Sequence, residues 1–320
     1  MGNDSKHQRE QLYDLFCKNL ELVKQHKNLK VYGERVSGYI CPLCFKIFGR
    51  CALSANYDDR LTLEDVPPVA LGGSVKLLTC KVCNNQQGSK LDNHLVEYIA
   101  TKDFLNKKPN VERRSRFITN DYYITSGKIW YDENGKIVAR SSKKSSHPEH
   151  YHELFKSNDV VLRKVNFQIT GGFKVGRPQK ALLRIAYLWM VSEFGYSCIL
   201  NQNMQAVRKQ INQPNENFIN NIAYFEYDFP NECEGINLLH TPADFKSFAI
   251  AVNLITKASE RKVVIILPGP ESPGIDVYDK FAGISGSESK MNFNLTKIQV
   301  NHGLTDPEIV EAYEDAWNWG

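Results

Sequence analysis

The sequence lacks any long run of apolar residues, and no stretch approaches the roughly 18 residues that a membrane-spanning helix needs. Its amino-acid composition is also not extreme in any class of residue. Hydrophobic residues make up 42%, aromatic residues 11% and charged residues 24% of the 320 positions, which argues against a fibrous or extensively disordered chain. Residues 1–30 are polar and charged, as in an amphipathic helix. We therefore expect a folded, cytoplasmic protein that does not enter a membrane, and its length favours two domains.

The chain also lacks a strong net charge. Its formal net charge of +4 is too small to indicate a class of binding partner. The charge is nevertheless uneven. Residues 101–180 contain 17 Lys and Arg against 8 Asp and Glu, whereas residues 181–320 contain 10 against 17. Such a basic stretch neutralises phosphates where its side chains share one face, and is otherwise an ordinary solvated surface. The candidates for nucleic-acid contact are Lys107, Lys108, Arg113, Arg114, Arg116, Lys143 and Lys144.

The eight cysteines do not have the pattern of a disulfide framework, because the chain is long and its early residues are polar. Cys41 pairs with Cys44, and Cys80 with Cys83, in two C-x-x-C motifs, while the other four cysteines stand alone. Two such motifs place four thiolates around one ion, which is the coordination of structural Zn²⁺. The spacing predicts a structural zinc site; two unrelated pairs of reduced cysteines are the alternative.

The segment between and after the two cysteine pairs has a specific order of features. A stretch with sequence LTLEDVPP occupies residues 61–68, a Gly-Gly pair follows at 72–73, and Asn84 directly follows the second cysteine pair. This order resembles the HNH endonuclease superfamily, with its ββα-metal fold, and in particular the zinc-knuckle subgroup related to phage junction resolvases and some restriction enzymes. The resemblance covers about 65 residues.

Local patterns agree with a hairpin followed by a helix. Leu61 and Leu63 alternate around Thr62 as a first strand, the glycine pair supplies the turn, and residues 76–79 form the return strand. An amphipathic helix follows, because apolar residues recur at helical spacing at Leu91, Leu95, Ile99 and Phe104. Zinc would join the base of the hairpin to the start of the helical segment, near Cys83.

The resemblance implies one catalytic cation, Mg²⁺ or Mn²⁺, beside this hairpin. Glu64 falls on the position of the acidic metal ligand. Asp65 stands where the family has a water-activating histidine, so Asp65 would be the base and a further oxygen ligand. An aspartate is a poorer base than imidazole unless burial raises its pKa. Asn84 matches the middle asparagine, which either ligates the metal or orients the strand that carries the base.

Three further positions have more than one interpretation. Asn85 is the alternative if the register shifts by one residue. Asp92 and His94 are candidates for the third signature position, as the last metal ligand or a contact to the leaving group. Each of these two residues also has a purely structural interpretation. Asp92 would support the start of a helix, and His94 would be an ordinary surface histidine.

The predicted fold is α+β, with a small zinc-stapled, treble-clef-like ββα-metal module and a larger mixed α/β C-terminal domain. The predicted bounds are 1–35 for an N-terminal helical segment, 36–105 for the module, 106–160 for a basic hairpin and linker region, and 161–320 for the C-terminal domain. Within these, the sequence indicates a hairpin turn at 132–135, a helix at 179–194 and a buried strand at 262–267.

The predicted function is metal-dependent hydrolysis of phosphodiester bonds in DNA, with RNA not excluded, as the resemblance to restriction and phage-defence nucleases implies. The alternative is a catalytically decayed module that binds nucleic acid or regulates, because Asp65 replaces the histidine. A function that resides wholly in the C-terminal domain, such as ligand sensing, is a third interpretation. A homodimer is compatible with double-strand cutting, since one HNH site cuts one strand.

Overall fold

The computed structural model describes residues 2–26, 37–119, 122–141, 165–200, 202–270, 276–284 and 292–318. None of its described helices is both long and apolar enough to span a bilayer. Lys143 and Lys144, two of the predicted phosphate contacts, lie outside the described residues. The same holds for most of the predicted linker after residue 141.

The described helices are α1 (Gly2–Gln25), α2 (Lys81–Gln87), α3 (Asn93–Leu105), α4 (Arg177–Phe194), α5 (Tyr196–Ile199), α6 (Gln202–Asn212), α7 (Val277–Ile284) and α8 (Ile309–Asn318). A π-helical turn, Gly88–Asp92, lies between α2 and α3. The described strands are β1 (Tyr39–Ile40), β2 (Ile47–Phe48), β3 (Leu61–Val66), β4 (Ser74–Cys80), β5 (Arg113–Thr119), β6 (Tyr122–Tyr131), β7 (Ile137–Ser141), β8 (Val165–Ile169), β9 (Tyr224–Glu226), β10 (Gly235–Thr241), β11 (Ser247–Ile255), β12 (Glu260–Leu267) and β13 (Asn294–Lys297). The protein is therefore mixed α+β, as predicted.

The chain divides into two compact units, and their bounds differ from the predicted domains. Unit 1 comprises Met1–Asn93, Val175–Ile255 and Glu260–Gly320, and unit 2 comprises His94–Lys174 and Thr256–Ser259. The cysteine-rich segment thus belongs to one unit with most of the predicted C-terminal domain. The physical reason is that β3 and β4 pack directly on α4, so the two segments share a core.

In unit 1, β3 and β4 form an antiparallel hairpin that is followed directly by α2. Its turn is tight because the missing side chain of Gly73 leaves room for a backbone oxygen. A Cβ there would lie 1.5 Å from the carbonyl oxygen of Pro67. The predicted strand, Gly-Gly turn, return strand and helix therefore occur in that order. The helix begins earlier than the apolar spacing indicated, at Lys81, with Cys80 as its N-cap.

Helix α4 is central to unit 1, and its bounds match the predicted helix at 179–194 closely. It has apolar residues around most of its circumference, which is typical of a helix buried on several sides. It ends at Gly195, whose φ of 63° is in the left-handed region. An antiparallel sheet of order β13-β10-β11-β12-β9 packs on this helix through β12.

Unit 2 contains an antiparallel sheet of order β7-β6-β5-β8. The predicted turn at 132–135 joins β6 to β7, with Gly135 at a φ of 73°. One face of this sheet packs on helix α3 through a small hydrophobic core of Phe104, Val111, Phe117 and Ile129. Because side chains on a strand alternate between faces, the opposite face carries the intervening residues, among them Arg114, Lys128 and Trp130.

Candidate functional site

The four paired cysteines form one cluster in unit 1, as the sequence predicted. Their Sγ atoms all lie within 4.8 Å of one another, and the Sγ atoms of Cys44 and Cys80 are 3.8 Å apart. A tetrahedral zinc ion with bonds of about 2.3 Å places its sulfurs ~3.8 Å apart. The cluster therefore has the dimensions of a structural metal site.

Backbone groups around the sulfurs agree with that role. In the first cysteine pair, the N–H of Phe45 donates to the carbonyl of Cys41 over 2.9 Å, and a φ of 61° at Phe45 closes the turn. The N–H of Cys80 donates to the sulfur of Cys41, and the N–H of Cys83 to the sulfur of Cys80, both over 3.5 Å. Such N–H donors stabilise negative charge on metal-bound thiolates. The turns thus present four sulfurs already oriented towards a common centre.

Helices of the C-terminal half of unit 1 hold the first cysteine pair in place. The hydroxyl of Tyr187, on α4, donates to the carbonyl of Pro42 over 2.7 Å. The side chain of Asn212, on α6, donates to the carbonyl of Leu43 over 2.6 Å. The guanidinium of Arg208 lies over the ring of Phe45. Sequence reasoning missed these supports, because nothing in the local pattern of α4 or α6 links them to residues about 150 positions earlier.

Glu64 does not present an open carboxylate, which corrects the prediction for this residue. Its side chain is buried, and its two oxygens have different partners. Oε2 accepts a hydrogen bond of 2.7 Å from the hydroxyl of Thr79, and Oε1 accepts one of 2.6 Å from Arg184. Arg184 is itself buried in the middle of α4, with 1% of its side chain exposed. Glu64 is therefore half of a buried ion pair.

Asp92 joins the same ion pair. Its Oδ1 accepts a hydrogen bond of 3.1 Å from the second terminal nitrogen of Arg184, so one guanidinium bridges Glu64 and Asp92. Glu64 and Asp92, the predicted acidic ligand and the candidate last ligand, thus converge on a guanidinium of the chain itself. Sequence reasoning missed Arg184, because nothing in the local pattern of α4 relates it to Glu64, 120 positions earlier.

Two groups of three or more described His, Cys, Asp and Glu side chains lie close enough to share an ion. One is the cysteine cluster and the other is His302, Asp306 and Glu308. Neither Glu64 nor Asp65 belongs to either group. Because Thr79 and Arg184 occupy the two oxygens of Glu64, the predicted catalytic Mg²⁺ or Mn²⁺ does not fit the residues as they are arranged.

Asn84 has one of the two roles that the resemblance implies. From α2, its side-chain amide donates to the hydroxyl of Thr62 over 3.0 Å and to the carbonyl of Leu63 over 3.2 Å. It thereby ties the helix to the strand that carries Glu64 and Asp65. The alternative residue, Asn85, is exposed. Asn84 thus orients the strand in this arrangement.

Asp65 is half-buried and lies at an irregularity of the hairpin. The register of β3 and β4 shifts between Glu64 and Asp65, so the usual alternation of faces is interrupted there. Burial raises the pKa of Asp65, and the neighbouring negative charge of Glu64 raises it further. A carboxylate of raised pKa is a better proton acceptor near neutral pH than an ordinary aspartate.

His94 belongs to unit 2, unlike Glu64, Asp65, Asn84 and Asp92. There its Nδ1 accepts a hydrogen bond of 3.2 Å from the backbone N–H of Lys174. This backbone contact gives His94 a structural role in unit 2.

The predicted phosphate contacts separate into exposed and buried side chains. Lys107, Lys108, Arg114 and Arg116 are exposed. Arg113 is not available to a phosphate, because it is 4% exposed and its guanidinium lies 2.7 Å from a carboxylate oxygen of Glu97. The reason is strand alternation, which turns Arg113 to the face of β5 that packs on α3.

Replacing Asp92 with Asn should remove a pH-dependent component of stability. Burial, aided by the negative charge of Glu64, raises the pKa of Asp92 from 3.8 to about 6, against the lowering effect of the Arg184 charge. Because this pKa is higher in the folded protein, the stability it contributes is present below about pH 4 and is lost as the pH rises through about 6. The full effect is about 3 kcal/mol.

Urea unfolding at several pH values between about 4 and 7.5 measures this component. The free energy of unfolding of the wild-type protein should fall with pH relative to that of Asp92→Asn. The matched control is Asp58→Asn, since Asp58 is exposed. If the free energy of unfolding of Asp92→Asn depends on pH as strongly as that of the wild-type protein, Asp92 is not the group responsible.

The site in unit 1 thus combines a metal-sized cysteine cluster, a strand tied by Asn84 and a buried Glu64–Arg184–Asp92 ion-pair triad. Asp65 is its half-exposed acidic group. A comparison with protein-family models, curated proteins and solved structures found no match.

Proposed function

We propose that this chain binds nucleic acid through a zinc-containing module of HNH type whose hydrolytic centre is closed. The observation that carries this proposal is the position of Arg184, whose guanidinium lies between Glu64, the predicted acidic ligand of a catalytic cation, and Asp92, a candidate for its last ligand. The hairpin, the following helix and the four-sulfur cluster support the HNH resemblance. Zinc is the ion that four cysteine sulfurs at these distances favour.

Energetic magnitudes favour a closed centre over an open one. Breaking a buried ion pair costs about 3–5 kcal/mol, because it leaves an uncompensated charge in the interior. A Mg²⁺ ion at about 1 mM that binds an open site with a dissociation constant of about 1 mM stabilises the bound form by only about 0.4 kcal/mol. A cation at millimolar concentration therefore has little or no net free energy left for displacing Arg184.

Hydrolysis of DNA by the same module is the second candidate, and Asp65 is the observation that favours it. Its carboxylate is half-exposed and its pKa is raised, which suits a group that accepts a proton from an attacking water. This candidate requires Arg184 to leave Glu64 when substrate and cation bind. It corresponds to a restriction-type or phage-defence endonuclease.

A cleavage assay distinguishes the two candidates. The purified full chain is incubated with supercoiled DNA, and separately with RNA, in Mg²⁺ or Mn²⁺ with an EDTA control. The closed centre predicts no nicking by the wild-type protein or by Asp65→His, because restoring the histidine does not release Glu64 from Arg184. Wild-type nicking that EDTA abolishes, that Asp65→Ala loses and that the exposed control Asp58→Ala retains would replace the first candidate with the second.

A further inference from the structure

The outer face of the sheet in unit 2 carries a row of cations across three strands. Arg114 on β5 lies opposite Lys128 on β6, and Lys128 lies opposite Arg140 on β7. Residues directly opposite one another on neighbouring strands project from the same face. All three side chains are exposed. They therefore form one cationic row.

Polar side chains extend this face along β5 and β8. Arg116, two residues beyond Arg114, lies opposite Ser126 on β6 and Gln168 on β8, and both Arg116 and Gln168 are exposed. The acidic residue Glu112 is also exposed at this end of β5, where it pairs with Lys128. The described face thus has four cations against one carboxylate, so it attracts a polyanion.

An aromatic ring lies in the same face. Trp130 is two residues beyond Lys128 on β6, so both side chains project to the same side. The guanidinium of Arg140 lies over the Trp130 ring, 5.4 Å from its centroid. Indole rings and guanidinium planes are the surfaces on which unpaired bases stack. The face therefore offers a stacking group beside phosphate-binding charges, which an acidic peptide would not use.

The dimensions of the sheet favour a single strand over a duplex. Neighbouring strands are about 4.8 Å apart, so four strands with their side chains exceed the ~12 Å width of the major groove of DNA. Bases within a duplex also stack on their neighbours, so their faces are not accessible to an indole ring. Unpaired bases are free to stack on Trp130.

We propose that single-stranded nucleic acid binds across this sheet face. The face comprises Arg114, Arg116, Lys128, Trp130 and Arg140. The proposal rests on the proposed nucleic-acid function and extends it, because it names the bound form and adds Lys128, Trp130 and Arg140 to the predicted contacts. In the bound state the cations contact phosphates, and one base stacks on the indole beside Arg140.

Fluorescence anisotropy with a 20-nucleotide single-stranded DNA tests the proposal on the full chain. The triple variant Arg114→Gln/Arg116→Gln/Arg140→Gln should bind at least about tenfold more weakly in low salt. The slope of log affinity against log salt should fall by about 2, because three phosphate contacts are lost. Trp130→Leu should weaken binding about tenfold while leaving that slope unchanged. Circular dichroism confirms that each variant is folded.

The matched control is Lys6→Gln/Lys18→Gln/Lys90→Gln, which removes the same charge from exposed positions of unit 1 and should retain most of the affinity. Equal affinity of both triple variants and the wild-type protein would overturn the assigned face but leave the nucleic-acid function standing. Absence of wild-type binding to any nucleic acid would overturn both. If duplex DNA binds more tightly than the single-stranded DNA, the single-strand assignment is overturned. The same holds if poly-glutamate of equal charge binds more tightly than the single-stranded DNA.

Discussion

Replacing Cys80 with Ser should abolish metal binding and cause the largest loss of stability of any single substitution considered for this chain. Cys80 is buried, its sulfur is 3.8 Å from that of Cys44, and it also caps α2. The predicted zinc ion links the hairpin base to the start of the helix, so its loss disconnects both. Binding of structural zinc contributes about 10–16 kcal/mol in small zinc modules.

The measurements are metal content and thermal unfolding. Elemental analysis should find about one zinc per wild-type chain and none in Cys80→Ser. The unfolding temperature of the wild-type protein should fall on prolonged treatment with a strong chelator, whereas the variant should show no further change. Cys51→Ser is the matched control, because Cys51 is exposed and does not belong to the cluster. A wild-type protein that holds no metal and has the same unfolding temperature as Cys80→Ser would refute the prediction.

The cysteine cluster and the hairpin were predictable because their signals are local. Two C-x-x-C pairs fix four sulfurs by short-range turn geometry. The alternation of Leu61 and Leu63, with glycines at the turn, specifies a strand and its return. The metal-sized cluster and the mixed α+β composition are confirmed, as is the order of hairpin and helix.

The ion-pair triad was not predictable in the same way. Arg184 lies in an apolar helix, and no periodic pattern relates it to Glu64, 120 residues earlier. The difference between the predicted domain bounds and the two compact units has the same cause, because contacts between β3, β4 and α4 are long-range. Arg113 is different: Val111 and Phe117 share its strand phase and are apolar, so alternation on β5 already indicated that it faces inward.

Replacing Arg184 with Met should turn the ion-pair triad into a site for a divalent cation. Methionine fills much of the volume but has no charge, so Glu64 and Asp92 remain as two neighbouring carboxylates in a buried pocket. Their mutual repulsion and desolvation should lower the free energy of unfolding by about 3–5 kcal/mol near pH 7.5. The loss should shrink at about pH 4.5, because the pKa of Asp92 is already raised to about 6 beside Arg184, and removal of that positive charge favours the protonated form further.

Thermal unfolding with and without 10 mM Mn²⁺ or Ca²⁺ measures the created site. A cation that binds the folded variant with a dissociation constant of about 0.1 mM adds about 2.7 kcal/mol, so the unfolding temperature of Arg184→Met should rise. The wild-type protein should lack this rise, because its own guanidinium occupies the position, and any binding at His302, Asp306 and Glu308 is common to both proteins. Arg184→Lys, which keeps one positive charge, is the second variant and should show a smaller loss of stability with no response to the cation.

The triple variant Arg184→Met/Glu64→Gln/Asp92→Asn separates charge from packing. With both carboxylates neutralised, it should recover much of the stability lost in Arg184→Met, since no unpaired charge remains in the interior. It should also lose the response to Mn²⁺ or Ca²⁺. An equal cation response in the wild-type protein that the triple variant lacks would mean that the cation displaces Arg184 readily. The second, hydrolytic candidate would then become the better account of this site.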